Sequence, residues 1–143
     1  MGEFYVVEPE VAGDWGENTK FTRTPGTPTE VHALYYDFNG WLGDCLLATS
    51  PCFIITETAA QAMADAGLAG FSTDAVEVTT SSEFDELCPG VVLPPFVWLK
   101  VGNRPGLDDL GITADLDLVV SERALMLLKE QGVSNALVEP FEA

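Results

Sequence analysis

Basic residues are scarce in this sequence: three lysines (Lys20, Lys100, Lys129) and three arginines (Arg23, Arg104, Arg123) stand against 23 acidic residues, for a net charge of −17. A surface of that sign repels DNA, RNA and anionic lipid, and it attracts basic proteins, whose approach it speeds by long-range steering. Histidine is nearly absent. His32 alone cannot build His-rich zinc or non-haem iron sites, and its place between Val31 and Ala33 in a strand-like segment marks it as structural. The three cysteines, Cys45, Cys52 and Cys88, leave one unpaired in any intramolecular disulfide scheme, and none belongs to a Cys-x-x-Cys pair. Buried free thiols are the expectation.

Long hydrophobic runs are missing as well. The longest, Val91 to Leu99, is about half a bilayer-spanning helix and is broken by Pro94 and Pro95. The start, Met1-Gly2-Glu3-Phe4-Tyr5 leading into Val6-Val7-Glu8-Pro9, lacks the basic stretch and apolar core of an export signal. A cytoplasmic, soluble protein is expected, with no membrane and no nucleic acid as partner.

Several chemical signatures are also lacking. No Gly-x-x-x-x-Gly-Lys sequence cradles phosphate, and Gly40, Gly43, Gly102 and Gly106 do not form a dinucleotide fingerprint. A Ser-His-Asp or Cys-His device would have to recruit His32, and no Gly-x-Ser-x-Gly elbow supplies a nucleophile. No enzymatic activity and no cofactor are therefore expected. Carboxylates are the one abundant reactive group, and Asp44, Asp108, Asp109, Asp115 and Asp117 are the candidates for a Ca²⁺ or Mg²⁺ site or an acid–base pair. Asp115-Leu116-Asp117 lacks the glycine and the distant glutamate of a calcium loop, so the expectation is no metal.

What the chain does contain is ordinary for a globular protein: 47% apolar and 20% charged residues. Its length suits one domain over residues 1–143, and a domain of that size buries roughly 68–70% of the surface its unfolded chain exposes. Strands are predicted at Phe4–Val7, at Glu30–Phe38 and at Phe96–Val101, whose near-continuous apolar character points to a central position. Gly13 to Thr29, rich in glycine, proline and small polar residues, reads as a long loop.

An internal repeat organises the remainder. Asp44 and Asp109, Thr56 and Ser121, Glu57 and Glu122, Ala59 and Ala124, and Gly67 and Gly132 are each 65 positions apart. In each copy an apolar strand (Phe53-Ile54-Ile55 or Leu118-Val119-Val120) meets a hydroxyl residue able to cap a helix. A glutamate then occupies the positive first turn. An apolar helix face follows, then a glycine suited to a left-handed cap, then a further strand, at Ala75–Val78 or Ala136–Val138. Helices of about three turns are marginal alone, so each must dock on a sheet. The predicted fold is α+β: a mixed sheet with short helices and two similar strand-helix-strand units, about 44–79 and 109–139. One further helical turn is predicted at Ser81–Leu87.

Among the tryptophans, Trp98 sits mid-strand and reads as core. Trp41, in the glycine-flanked turn Phe38-Asn39-Gly40-Trp41-Leu42-Gly43-Asp44, reads as a plug at the sheet end with a contact role left open. Trp15, within the polar loop, has the character of an exposed aromatic anchor for a protein partner.

The runs Trp41-Leu42-Gly43-Asp44, Leu93-Pro94-x-Phe96-x-Trp98-Leu99, Gly106-Leu107-Asp108-Asp109-Leu110 and Leu118-Val119-Val120-Ser121-Glu122-Arg123-Ala124-Leu125, closed by Val138-Glu139-Pro140, resemble a group of small bacterial immunity proteins encoded beside polymorphic toxins. The likeness spans residues 41–140. It implies an α+β fold and a protein that binds a cognate toxin and blocks it. Toxins that cut nucleic acid present basic clefts, which an acidic inhibitor would engage quickly and selectively. The contact expected on that basis comprises Trp15, Trp41, Asp44, Asp108 and Asp109. Two other readings stay open: an acidic structural or regulatory binding module whose charge only confers solubility, and an enzyme with paired carboxylates.

Overall fold

The computed structural model describes residues 3–22, 24–26, 30–49 and 52–141. In chain order the elements are β1 (Phe4–Glu8), β2 (Gly13–Trp15), β3 (Lys20–Thr22), β4 (Glu30–Phe38), β5 (Leu46–Thr49), β6 (Cys52–Thr56), α1 (Glu57–Asp65), β7 (Phe71–Asp74), β8 (Val76–Thr80), α2 (Ser82–Leu87), β9 (Phe96–Val101), β10 (Leu110–Ile112), β11 (Leu118–Ser121), α3 (Glu122–Gln131) and β12 (Leu137–Pro140). The fold is α+β. No helix among the described residues is long and apolar enough to cross a membrane.

The repeat becomes two matching sheets. One has the order β5-β6-β9-β7 and the other β10-β11-β1-β12. In each, an all-buried strand, Cys52–Thr56 or Leu118–Ser121, lies inside the sheet and runs directly into a helix. Thr56 and Ser121 cap those helices alike: the Thr56 hydroxyl accepts from the Ala59 N–H and the Ser121 hydroxyl from the Ala124 N–H, both at 3.2 Å. The central strands, however, are exchanged along the chain. β9, which follows α1 in sequence, completes the first sheet, whereas the second is completed by β1 from the N-terminal region. Phe96 pairs with Thr56 as Phe4 pairs with Ser121.

The helices α1 and α3 pack on one another between these sheets over a shared apolar core. Ile55 and Val120, Ala59 and Ala124, Ala60 and Leu125, Met63 and Leu128, and Leu68 and Val133 are all buried in it. Each pair has the same 65-residue separation, so the periodic positions of one copy pack against those of the other. The ends of the helices differ. Gly132 caps α3 at φ 119°. After α1 the cap is right-handed Ala66, and Gly67 turns left-handed one residue later.

A third sheet, β2-β4-β3 with β8 along the other side of β4, covers a second core built from Leu34, Tyr36, Phe38, Ile54, Phe84, Phe96 and Trp98. It corrects the long loop expected over 13–29. Residues 13–22 run antiparallel beside β4 as one interrupted strand, with Gly13 opposite Phe38 and Lys20 opposite Ala33. At the interruption the Thr19 hydroxyl donates to the Tyr35 carbonyl and accepts from the Tyr35 N–H, both at 3.0 Å, standing in for a missing backbone partner. Arg23 and residues 27–29 of the expected loop lie outside the described residues. The strand expected at Ala75–Val78 forms as β8, which pairs in parallel with β4, and it is preceded by an unexpected strand, β7, which returns antiparallel to β9.

Candidate functional site

Asp44 and Asp109, matched by the repeat, perform matched tasks. Each binds the loop that follows the helix of the opposite unit. Asp44 is 1% exposed. Its Oδ1 accepts from the Ser134 N–H (3.1 Å), the Ser134 hydroxyl (3.2 Å) and the Asn135 side-chain amide (2.9 Å), and its Oδ2 accepts from the Asn135 N–H (2.8 Å). Asp109 accepts from the Ala69 N–H at 2.9 Å, and Ala69 precedes Ser134 by the same 65 positions. Asp109 also accepts the Ser121 hydroxyl (2.7 Å) and a two-pronged contact from Arg123, Nε at 2.9 Å and Nη2 at 2.8 Å. The Arg123 guanidinium, with help from the Ala69 N–H and the Ser121 hydroxyl, holds the Asp109 carboxyl well below the usual carboxylate range against the opposing effect of burial.

The residues of the expected partner surface have the following places in the fold. Asp44 is buried with its acceptors occupied, so it offers no face to another protein. Asp109, whose side chain is 12% exposed, is committed to Arg123 and the loop at Ala69. Asp108 is half-buried beside Gly70, where its Cβ would lie 2.7 Å from a β-carbon added to that glycine. Trp41 lies edge-on to Phe96 (centroids 6.2 Å apart), and its indole N–H donates to the Asp44 carbonyl at 3.0 Å. That is the plug arrangement. Trp15 is half-buried against the second core and 5.0 Å from the Phe21 ring, so it is not a projecting anchor.

No family model matches this chain, and no curated protein matches it.

Carboxylates that cap no loop lie on the outer face of the third sheet. Leu34, Tyr36 and Phe38 of β4 point into the core, which turns Tyr35 and Asp37 outward. Asp14 is directly opposite Asp37, and Glu77 is opposite Tyr35. Asp37 accepts the Thr79 hydroxyl at 2.8 Å. Like charges placed opposite one another across strands are destabilising, so this face carries a local electrostatic cost that a cationic partner would relieve. Lys20 lies farther along the face, opposite Ala33. Exposed Glu83, Asp85 and Glu86 follow on α2, which packs on β8. Sequence reasoning missed this face because it placed Asp14 in a loop; the alternation in Glu30–Phe38 was the signal available for Asp37.

Among the clefts in the described surface, one of about 660 Å³ is lined by Trp98, Cys52, Lys100, Ile112 and Leu116 among others. Lys100 sits 4.4 Å over the Trp98 ring and 3.0 Å from Asp74, and burial pushes the Cys52 thiol up to about 11, so it stays protonated at neutral pH. Another, about 530 Å³, lies beside Phe4, Leu107, Arg123 and Met126. No group of three or more His, Cys, Asp or Glu among the described residues is placed to hold a metal ion. Glu10, buried, accepts the Leu42 N–H at 2.7 Å through Oε2 and thereby ties down the Trp41 turn. Burial raises its pKa above the ordinary value.

Proposed function

We propose that this chain is an immunity protein that binds a cognate bacterial toxin and covers a basic active site with an acidic surface. The observation that carries the reading is the excess of carboxylate, 23 acidic against six basic residues and most of it exposed, with Lys100 and Arg123 already engaged with Asp74 and Asp109. The resemblance over residues 41–140 supports the same reading. The contact is reassigned to the outer sheet face at Asp14, Asp37 and Glu77, together with α2, because those carboxylates are exposed or half-buried and not consumed by loop capping. Steering by such a face speeds encounter with a basic partner and weakens as salt screens it, with a Debye length of about 8 Å at physiological ionic strength.

On this proposal a large reading frame adjacent to this one has the toxin as its C-terminal domain, and the test uses that domain. Its expression should arrest growth, and co-expression of this chain should restore it. The association rate of the purified pair should fall steeply, about tenfold or more, between low and physiological salt, and again on combined Asp14→Lys, Asp37→Lys and Glu77→Lys substitution. Failure to restore growth would sink the proposal. Rescue with a salt-independent rate would leave the inhibitor and remove the acidic face from its mechanism.

A further inference from the structure

The cleft beside Phe4 occupies the position that an indole fills in the other unit. In the first unit Trp41 lies against Phe96, and that ring is 8% exposed. The 65-residue displacement carries Trp41 to Gly106 and Leu42 to Leu107, and both leucines are 72% exposed. It likewise relates the partners of the two phenylalanines, Thr56 of Phe96 and Ser121 of Phe4. The backbone agrees: the Glu57 N–H donates to the Pro95 carbonyl at 3.0 Å and the Glu122 N–H to the Glu3 carbonyl at 2.9 Å. With glycine at 106 no indole is offered to Phe4 from that position; the Phe141 ring lies beside Gly106 instead, and Phe4 stays half-buried. A side chain at 106 is hindered twice over, by φ 84° and by the Phe141 ring 3.2 Å from where its β-carbon would sit.

The opening that remains, about 530 Å³, has Phe4, Leu107 and Met126 as its apolar surfaces. Its rim has a net negative charge: Glu122 lines it, while the charge of Arg123 is neutralised by Asp109, which lines it too. We propose that this cleft is a docking pocket for an aromatic side chain flanked by basic residues on a protein partner. The repeat shows that the scaffold seats an indole at the corresponding place, and the rim favours cationic neighbours. Aromatic anchors entering such pockets carry much of the energy of protein interfaces. The proposal rests on the partner-binding reading above and names a second point of contact for it.

Three blocked tripeptides, Lys-Trp-Lys, Lys-Ala-Lys and Glu-Trp-Glu, serve as probes in an NMR titration of the full chain. Lys-Trp-Lys should shift the resonances of Leu107, Arg123 and Met126 saturably, with the other two binding about tenfold more weakly or worse. Met126→Lys, at a site 59% exposed that tolerates a polar side chain, should abolish those shifts while the rest of the spectrum is retained. Equal binding of Lys-Ala-Lys would reduce the effect to bulk charge and overturn the pocket, as would equal binding of Glu-Trp-Glu or an absence of shifts at the cleft. Because no toxin is present, a negative result leaves the growth-rescue test standing, and failure of rescue leaves the peptide result standing.

Discussion

At Asp44 four hydrogen bonds from Ser134 and Asn135 converge on one buried carboxyl group, which makes it a fastener between distant parts of the chain. Truncation would strand two backbone N–H groups, and bonds to charged acceptors are worth more than neutral ones. Asp44→Ala should lower stability by about 3 kcal/mol. Urea unfolding measures this, and a loss under about 0.5 kcal/mol would show that the loop finds other partners. Asp109 adds a pH dependence. Its folded pKa is depressed by Arg123, so the unfolded chain takes up this proton first as pH falls. Its contribution is fully present above the unfolded value of about 3.9 and declines as the pH drops below it toward the folded value. Asp109→Asn should therefore lower stability at neutral pH and flatten the acid limb of the stability curve. An unchanged acid limb would contradict the assignment.

Helix starts in this protein were readable because capping is a local matter. A hydroxyl followed by glutamate and an apolar period specified α1 and α3 from Thr56 and Ser121, and both caps are formed. Thr56→Ala should cost about 1 kcal/mol. Ser121→Ala should cost more, since the Ser121 hydroxyl also donates to Asp109. Thermal unfolding of the two variants compares them directly, and a larger loss for Thr56→Ala would reverse the ranking. Strands were legible where they are long and apolar, as in Glu30–Phe38 and Phe96–Val101, both of which form with the predicted limits. They were not legible at β2, β3, β5 and β10, each three or four residues long and defined by the neighbour they pair with.

The whole molecule is held together by exchange. Among the described residues β1 pairs with β11 and β12, and β9 with β6 and β7, so each sheet borrows its third strand from outside its own unit. The shared core between α1 and α3 ties the units again. Cutting the chain between these units should leave neither of the two matching sheets complete in either half, while the third sheet, whole within residues 13–80, loses the Phe96 and Trp98 side of its core. Fragments 1–90 and 91–143 are expected to lack cooperative thermal transitions by circular dichroism and to regain one on mixing. A fragment that melts cooperatively alone would show that the exchange is dispensable.

The amino-acid order by itself determined the repeat, its helices and caps, the central strands and the acidic character, since each follows from neighbours within a turn or two or from composition. Only the tertiary structure decided which carboxylates remain exposed. Asp44 and Asp109 are indistinguishable from surface aspartates in sequence, yet their partners lie 90 and 91 residues away at Ser134 and Asn135, or 40 away at Ala69. Conversely, Asp37 faces outward because Leu34, Tyr36 and Phe38 are drawn to the core, and Asp14 joins it through strand pairing that no local pattern encodes. A carboxylate's role depends on which donors the folded chain brings to it, and those donors are chosen by packing across the whole molecule.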